Sequence, residues 1–318
     1  MTNFRRKRFV HGQAFHELEL TNAVKFGSFR FDGAMSDDRD REARKQPVEG
    51  LSDEEAESVA ERKAGSAKVV HEVVRLQGDE ELDRPALSLL FSGFAAGVAI
   101  SFSILAEAFL AAGLPHVLWG KLVSSFGYCV GFVIVIMGNL QLFTENTVTA
   151  VLPVATHPTI ANVRRLIRLW VIVLTANFAG TFLVAALISS GLITTADMRQ
   201  ASIEISLAVV GHNGLETLLL GMPAGFLVAA IAWILPNARG SEFWVIVMIT
   251  YVIALGGFSH VVAGSAEAWL LWLTGKASFY QATIGFVLPA LAGNIIGGTG
   301  LFAVLAHGQV RSEIKPGP

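Results

Sequence analysis

The sequence predicts an all-α membrane protein of six transmembrane helices in an inverted 3+3 repeat, with helices 2 and 5 broken. Three observations predict it. Of the 318 residues, 53% are hydrophobic and 16% charged, and the apolar content is concentrated in residues 86–307. Within that region Gly256-Gly257-Phe258-Ser259-His260 interrupts an apolar run from Phe243 to Leu273, and a second break beginning at Gly138-Asn139 interrupts the run from Val117 to Val154. Such breaks expose backbone polar groups that lipid cannot satisfy, so they belong inside protein or beside a water-filled cavity. Two breaks in corresponding places mark a transporter or channel with two related halves.

Residues 1–34 mix Arg, Phe and Gly with no sustained period, and the charged stretch Ser36 to Glu42 follows Met35 abruptly. Two readings stand: an extension upstream of a natural start at Met35, or a disordered arm. Residues 35–85 are expected to form a charged cytosolic region. Within it Ser52 and the acids after it start an amphipathic helix over 53–77, carrying Val59, Val70, Val73 and Val74 on its apolar face. Its polar face mixes signs, which favours packing on the protein's own cytosolic face or a partner over anionic lipid. Residues 309–318 form a cytosolic tail.

Pro85 precedes six apolar segments, at 87–112, 117–154, 166–190, 206–235, 243–273 and 280–307; a span needs about 20 residues. Arg75, Arg84, Arg164, Arg165, Arg168, Arg239, Arg311 and Lys315 fall at one set of segment ends, against Lys121, Arg199 and Lys276 at the other. By the positive-inside rule both termini are cytoplasmic. Gly93-x-x-x-Gly97 in segment 1 is matched by Gly221-x-x-x-Gly225 in segment 4, and such small-residue pairs let helix backbones approach closely. Asn177-x-x-Gly180 in segment 3 is matched by Asn294-x-x-Gly297 in segment 6. Thr144 precedes Asn177 by 33 residues and His260 precedes Asn294 by 34, which aligns Thr144 with His260.

Leu142-Phe143-Thr144, Ser259-His260 and Gly293-Asn294-Ile295-Ile296-Gly297-Gly298 carry a resemblance to the formate/nitrite transporter family over residues 86–308. The resemblance implies an aquaporin-like six-helix subunit, a homopentamer with one pore per subunit, and passage of small monovalent anions such as formate or nitrite across a bacterial inner membrane. The chain departs from the family pattern at Ser259, where a Glu is usual, and at Gly264, where an Asn is usual. It departs again at Gly225, where many members carry Asn, and at Glu145, where a small residue is usual.

An anion entering a pore must be offered donors, because stripping a carboxylate of water costs ~20 kcal/mol in the idealised low-dielectric limit. Half-helix N-termini near 145–147 and 261–263 are expected to supply N–H groups and a favourable dipole, capped by Thr144 and Ser259. His260 adds a hydrogen-bond donor or a proton shared with the anion. The substrate pathway is therefore expected to comprise His260, Thr144, Ser259, Asn177, Asn294 and Glu145. The two asparagines are better suited to tying down broken backbone than to touching substrate, since an amide both donates and accepts. Leu142, Phe143 and Phe258 are candidate apolar constrictions. Glu145 must be protonated, paired or turned toward a helix N-terminus, and Glu107 and Glu267 are expected in a vestibule or an interface.

The competing readings are an aquaporin-type neutral-solute pore, which lacks its paired Asn-Pro-Ala motifs here, and a non-transporting scaffold or regulator. No H-E-x-x-H pair or Ser–His–acid arrangement marks an enzyme. No cofactor or metal is expected; the single Cys129 excludes an intramolecular disulfide and a cysteine metal site. A net charge of −2 without a basic patch offers nothing to nucleic acid.

Overall fold

The computed structural model describes residues 65–114 and 118–311, and every regular element in them is helical. The Met35 boundary and the first part of the expected amphipathic helix lie outside the described residues. Helix α1 (Ala67–Asp83) begins where the Ser66 hydroxyl accepts from the Val69 N–H, and it runs six residues past the expected end. A single residue pair separates it from α2 (Ala86–Ile100), which continues through Ser101 into α3 (Phe102–Ala112).

Helices α4 (Leu118–Ser124) and α5 (Tyr128–Met137) follow, then irregular turns and the short α6 (Val151–Thr156). The Thr159 hydroxyl caps α7 (Ile160–Ser189), which starts earlier than its apolar run. The fourth apolar run also resolves differently. Its first residues belong to a separate helix α8 (Ala196–Ser206) and a 3₁₀ turn, and α9 (Gly214–Ile234) starts afresh. The cause is local: Asn213 and Glu216 form a reciprocal capping box that fixes the start of α9. Helices α10 (Glu242–Leu255) and α11 (Val261–Leu273) flank the glycine break. The last segment combines α12 (Leu288–Ile295) and α13 (Val304–Val310) with wide π-helical turns at Gln281–Val287 and Ile296–Ala303. Among the described residues, five stretches are long and apolar enough to cross a membrane: Ala86–Ala112, Trp119–Met137, Ile160–Ser189, Gly214–Asn237 and Gln281–Val310. Helices α10 and α11 are apolar but shorter.

The core places α2 along α7, and α9 along the last segment. Two glycines make these approaches possible. A Cβ on Gly97 would lie 2.1 Å from the Asn177 carbonyl oxygen, and one on Gly225 would lie 2.2 Å from that of Asn294. No side chain fits at either position, so each asparagine is held against a bare strip of its neighbour.

Helix α1 is docked on the bundle rather than solvated. Val70 and Val74 pack with Val148, Leu152, Ala229 and Ala303, and His71 Nε2 lies 3.1 Å from His307 Nδ1. The charged face is held by Arg75 with Glu72 and Asp79, and by Arg165 with Asp83. Near its end the Glu81 carboxyl, 7% exposed, accepts from the Thr149 hydroxyl at 2.6 Å. Burial pushes the Glu81 carboxyl up to about 7 from its ordinary value of 4.5.

A carboxyl raised in the folded state binds its proton more tightly there than when undocked. Docking is therefore strongest below pH 4.5 and weakens as pH rises to about 7, by about 3 kcal/mol in full. Amide hydrogen exchange across Ala67–Asp83, corrected for intrinsic rates, is expected to be faster at pH 8 than at pH 5.5. Glu81→Gln removes that difference; an unchanged pH dependence in the variant contradicts the assignment.

Candidate functional site

The two breaks close in the same way. Helix α5 ends with Leu140 N–H donating to the Val135 carbonyl and with Asn139 at φ +50°, a left-handed residue. Helix α10 ends with Phe258 N–H donating to the Ile253 carbonyl and with Gly257 at φ +60°. This C-terminal motif satisfies the last carbonyls and turns the chain out of the helix axis. It works with Asn or Gly at the turning position, the residues that tolerate the left-handed region.

Each freed strand is then gripped by one asparagine. Asn177 accepts from Phe143 N–H at 3.0 Å and donates to the Gln141 and Gly93 carbonyls at 2.9 and 2.8 Å. Asn294 accepts from Val261 N–H at 2.9 Å and donates to the Ser259 and Gly221 carbonyls at 2.8 and 2.9 Å. Both side chains are fully buried, and every hydrogen bond of one has its counterpart in the other. These bonds match Phe143 with Val261 and Leu142 with His260. Residue spacing had aligned Thr144 with His260, two positions off, because it counted from the site residues rather than from the backbone groups the asparagines hold.

His260 sits 1% exposed at the start of α11, and its side chain caps that helix: Ala263 N–H donates to Nδ1 at 3.1 Å. Ser259, expected as the cap, instead engages through its backbone, donating to the Leu220 carbonyl and accepting from Asn294. Because Nδ1 is an acceptor, the neutral ring carries its hydrogen on Nε2. Nε2 lies 2.7 Å from Thr144 Oγ1, so the ring donates to that oxygen. Thr144 is thus tied to the histidine and does not cap a helix. No regular helix follows it at once; residues 143–150 form turns, with Thr147 Oγ1 donating to the Thr144 carbonyl. Regular helix resumes only at Val151. Among the described residues, the N–H groups of Thr144 and of Val262 make no hydrogen bond.

The remaining expected residues separate. Phe258, Ser259 and His260 line a cavity of about 1000 Å³. Phe143 is fully buried, its ring edge-on to Trp170 at 5.6 Å, and Leu142 is equally enclosed. Neither they nor Glu145 lines that cavity. Glu145 forms no ion pair among the described residues and lies within electrostatic range of Glu81. Phe132 was not singled out from the sequence, yet its ring meets His260 edge-on at 4.9 Å. It lies in an uninterrupted apolar run, where an aromatic beside a site reads the same as one in packing. Among the described residues no three His, Cys, Asp or Glu side chains converge to hold a metal.

The sequence profile described as Formate/nitrite transporter matches residues 68–308, so the match begins within α1. The chain is 40% identical over 255 residues to the inner membrane protein YfdC of Escherichia coli, covering 80% of this chain and 82% of that one. It is 25% identical over 244 residues to the formate channel FocA of Haemophilus influenzae, covering 68% and 84%. Among solved structures, a pentameric formate channel with formate bound aligns at TM-score 0.57 and 18% identity, over 71% of this chain and 98% of that one. An FNT family ion channel aligns at TM-score 0.62 and 19% identity, over 79% and 97%.

Removing either asparagine orphans one buried N–H and two buried carbonyls, at about 1–3 kcal/mol per group. Asn177→Ala and Asn294→Ala are expected to lower the thermal unfolding midpoint by similar amounts, with Asn294→Asp, which keeps the acceptor but not the donors, in between. A thermal scan of the detergent-solubilised variants checks this.

Proposed function

The chain belongs to the formate/nitrite transporter family, and on that premise we propose that residues 86–308 form a transmembrane pore for small monovalent anions: formate, nitrite or similar weak acids. The chain would sit as a multi-pass protein in a bacterial inner membrane with both termini cytoplasmic, as a homopentamer. The five long apolar stretches, together with α10 and α11 taken as one broken span, make six crossings. The matched asparagine contacts support an inverted repeat of two three-span halves, with both broken helices meeting at mid-depth.

The observation that carries this reading is the buried contact between Thr144 and His260, the histidine of which lines the cavity. The histidine uses both ring nitrogens within the protein: one accepts from Ala263, the other donates to Thr144. Thr144 Oγ1 receives that bond as an acceptor, which leaves its own hydroxyl hydrogen to be donated. The N–H groups of Thr144 and Val262, without acceptors among the described residues, add two further donors at matched positions of the two breaks. Hydroxyl and amide donors beside a neutral imidazole replace the water that a formate or nitrite sheds on entering. A proton placed on Nδ1 must displace the Ala263 cap, so proton transfer through His260 is coupled to the start of α11. Phe258 in the cavity wall and Phe132 against the imidazole narrow the path and exclude water. Ser259 and Asn294 fix the backbone that presents His260, and Asn177 does the same for Thr144. Glu145, outside the cavity and within electrostatic range of Glu81 on α1, tunes which species passes.

Formate and nitrite flux into proteoliposomes across a pH series tests this. The wild type is expected to pass both ions. His260→Asn is expected to lower flux at least tenfold and to change its pH profile, and Thr144→Val to lower it without changing the profile. Well-folded wild-type protein that passes glycerol but neither ion overturns the proposal.

A further inference from the structure

We infer that Phe286 sets the size limit on what reaches His260: its ring, laid on the bare backbone of Gly264, admits a compact ion of formate or nitrite size and turns back a monocarboxylate that carries an alkyl chain. The inference rests on the anion-pore reading and narrows its substrate class.

Phe286 belongs to the wide π-helical turn Gln281–Val287 that opens the last segment. Ala282 and Ala290, four residues to either side of it, are fully buried, and Phe286 itself is 4% exposed. Flanked by these small residues, the ring reaches beyond them to α11. A π turn spaces side chains more widely than an α-helix and so re-aims those it carries. There the ring tip meets Gly264: a Cβ built on that glycine would lie 2.4 Å from Cζ and 2.6 Å from Cε1 of Phe286. No side chain fits at position 264 while the ring is in place, and the ring occupies the room that one would take.

This contact lies in the wall of the cavity that leads to the histidine, since Phe286, Gly264 and His260 all line it. Gly264 is one helical turn beyond His260, its N–H donating to the His260 carbonyl at 2.9 Å, which puts it about 6 Å along the axis of α11. Ile253, Ala254 and Phe258 line the same cavity and offer no hydrogen-bonding side chain. A ring whose tip already touches backbone has no room to retreat toward α11, because close-packed interiors leave no such slack. A ligand of three heavy atoms needs little width to pass the ring, whereas each methylene added to a carboxylate must find space beside a wall that does not give. Size rather than charge is what the ring discriminates, because formate and propionate present the same carboxyl group to His260.

The test is the flux of formate, acetate, propionate and butyrate at one pH into proteoliposomes of the full chain, each corrected for protein-free liposomes. The wild type is expected to pass formate at least about tenfold faster than propionate, the discrimination that a methylene or two commands in a tight apolar site. Phe286→Ala is expected to raise the propionate-to-formate ratio by about tenfold. Adding Gly264→Ala to Phe286→Ala, which returns a methyl to the vacated room, is expected to bring the ratio part of the way back, a compensation that simple loss of packing does not produce. Phe286→Leu, expected to raise the ratio several-fold, serves where the alanine variant does not fold. A wild type that passes propionate as fast as formate, or a ratio unchanged in the folded Phe286 variants, overturns the inference and leaves the anion pore standing. A wild type that passes none of the four overturns the anion pore, and the inference with it.

Discussion

Every feature of the site depends on satisfying the peptide groups freed where two apolar runs break. Lipid offers those groups nothing, so the protein spends one buried asparagine on each break. Asn177 and Asn294 each hold one N–H and one carbonyl of a break and one carbonyl of the neighbouring helix. The rest follows from that grip. The asparagine must lie against its neighbour, so Gly97 and Gly225 stand where no side chain fits. The chain must leave the helix axis to reach the amide, so Asn139 and Gly257 take left-handed backbone.

With the backbone secured, the start of α11 is free to be capped by a site residue. His260 fills that role, and the cap selects its tautomer. The consequence runs outward: Nε2 carries the hydrogen, Thr144 accepts the bond, and the threonine hydroxyl hydrogen is left uncommitted. A single local hydrogen bond in this way decides which hydrogens of the pair stay uncommitted. The imidazole is further held by the edge of Phe132, so it cannot swing without disturbing α5.

Much of this was legible in the sequence. The glycine breaks, the GxxxG pairs and the matched asparagines are discrete signals, because each reports a backbone position that tolerates few residue types. The asparagines read correctly as backbone clamps, since an amide is the one neutral side chain that both donates and accepts. Other features were hidden. The alignment of Thr144 with His260 was off by two positions, because the matched asparagine contacts pair backbone groups, Phe143 with Val261, rather than the chosen side chains. The Ser259 cap was a fair inference from residue type, yet His260 takes the place, a choice set by tertiary packing. The start of α9 was misplaced because hydropathy runs on through the end of α8, whereas the Asn213–Glu216 capping box marks the true boundary. Phe132 gave no signal at all, being one apolar residue among many.

The claim on which the account turns is that Nδ1 of His260 is an unprotonated acceptor while Nε2–H donates to Thr144. Solid-state ¹⁵N NMR of histidine-labelled protein in lipid, with His260 assigned by comparison with His260→Asn, reads both nitrogens directly. The account predicts a bare Nδ1 and a protonated Nε2 whose resonance moves in Thr144→Val. A hydrogen on Nδ1, or an Nε2 resonance indifferent to Thr144→Val, contradicts it.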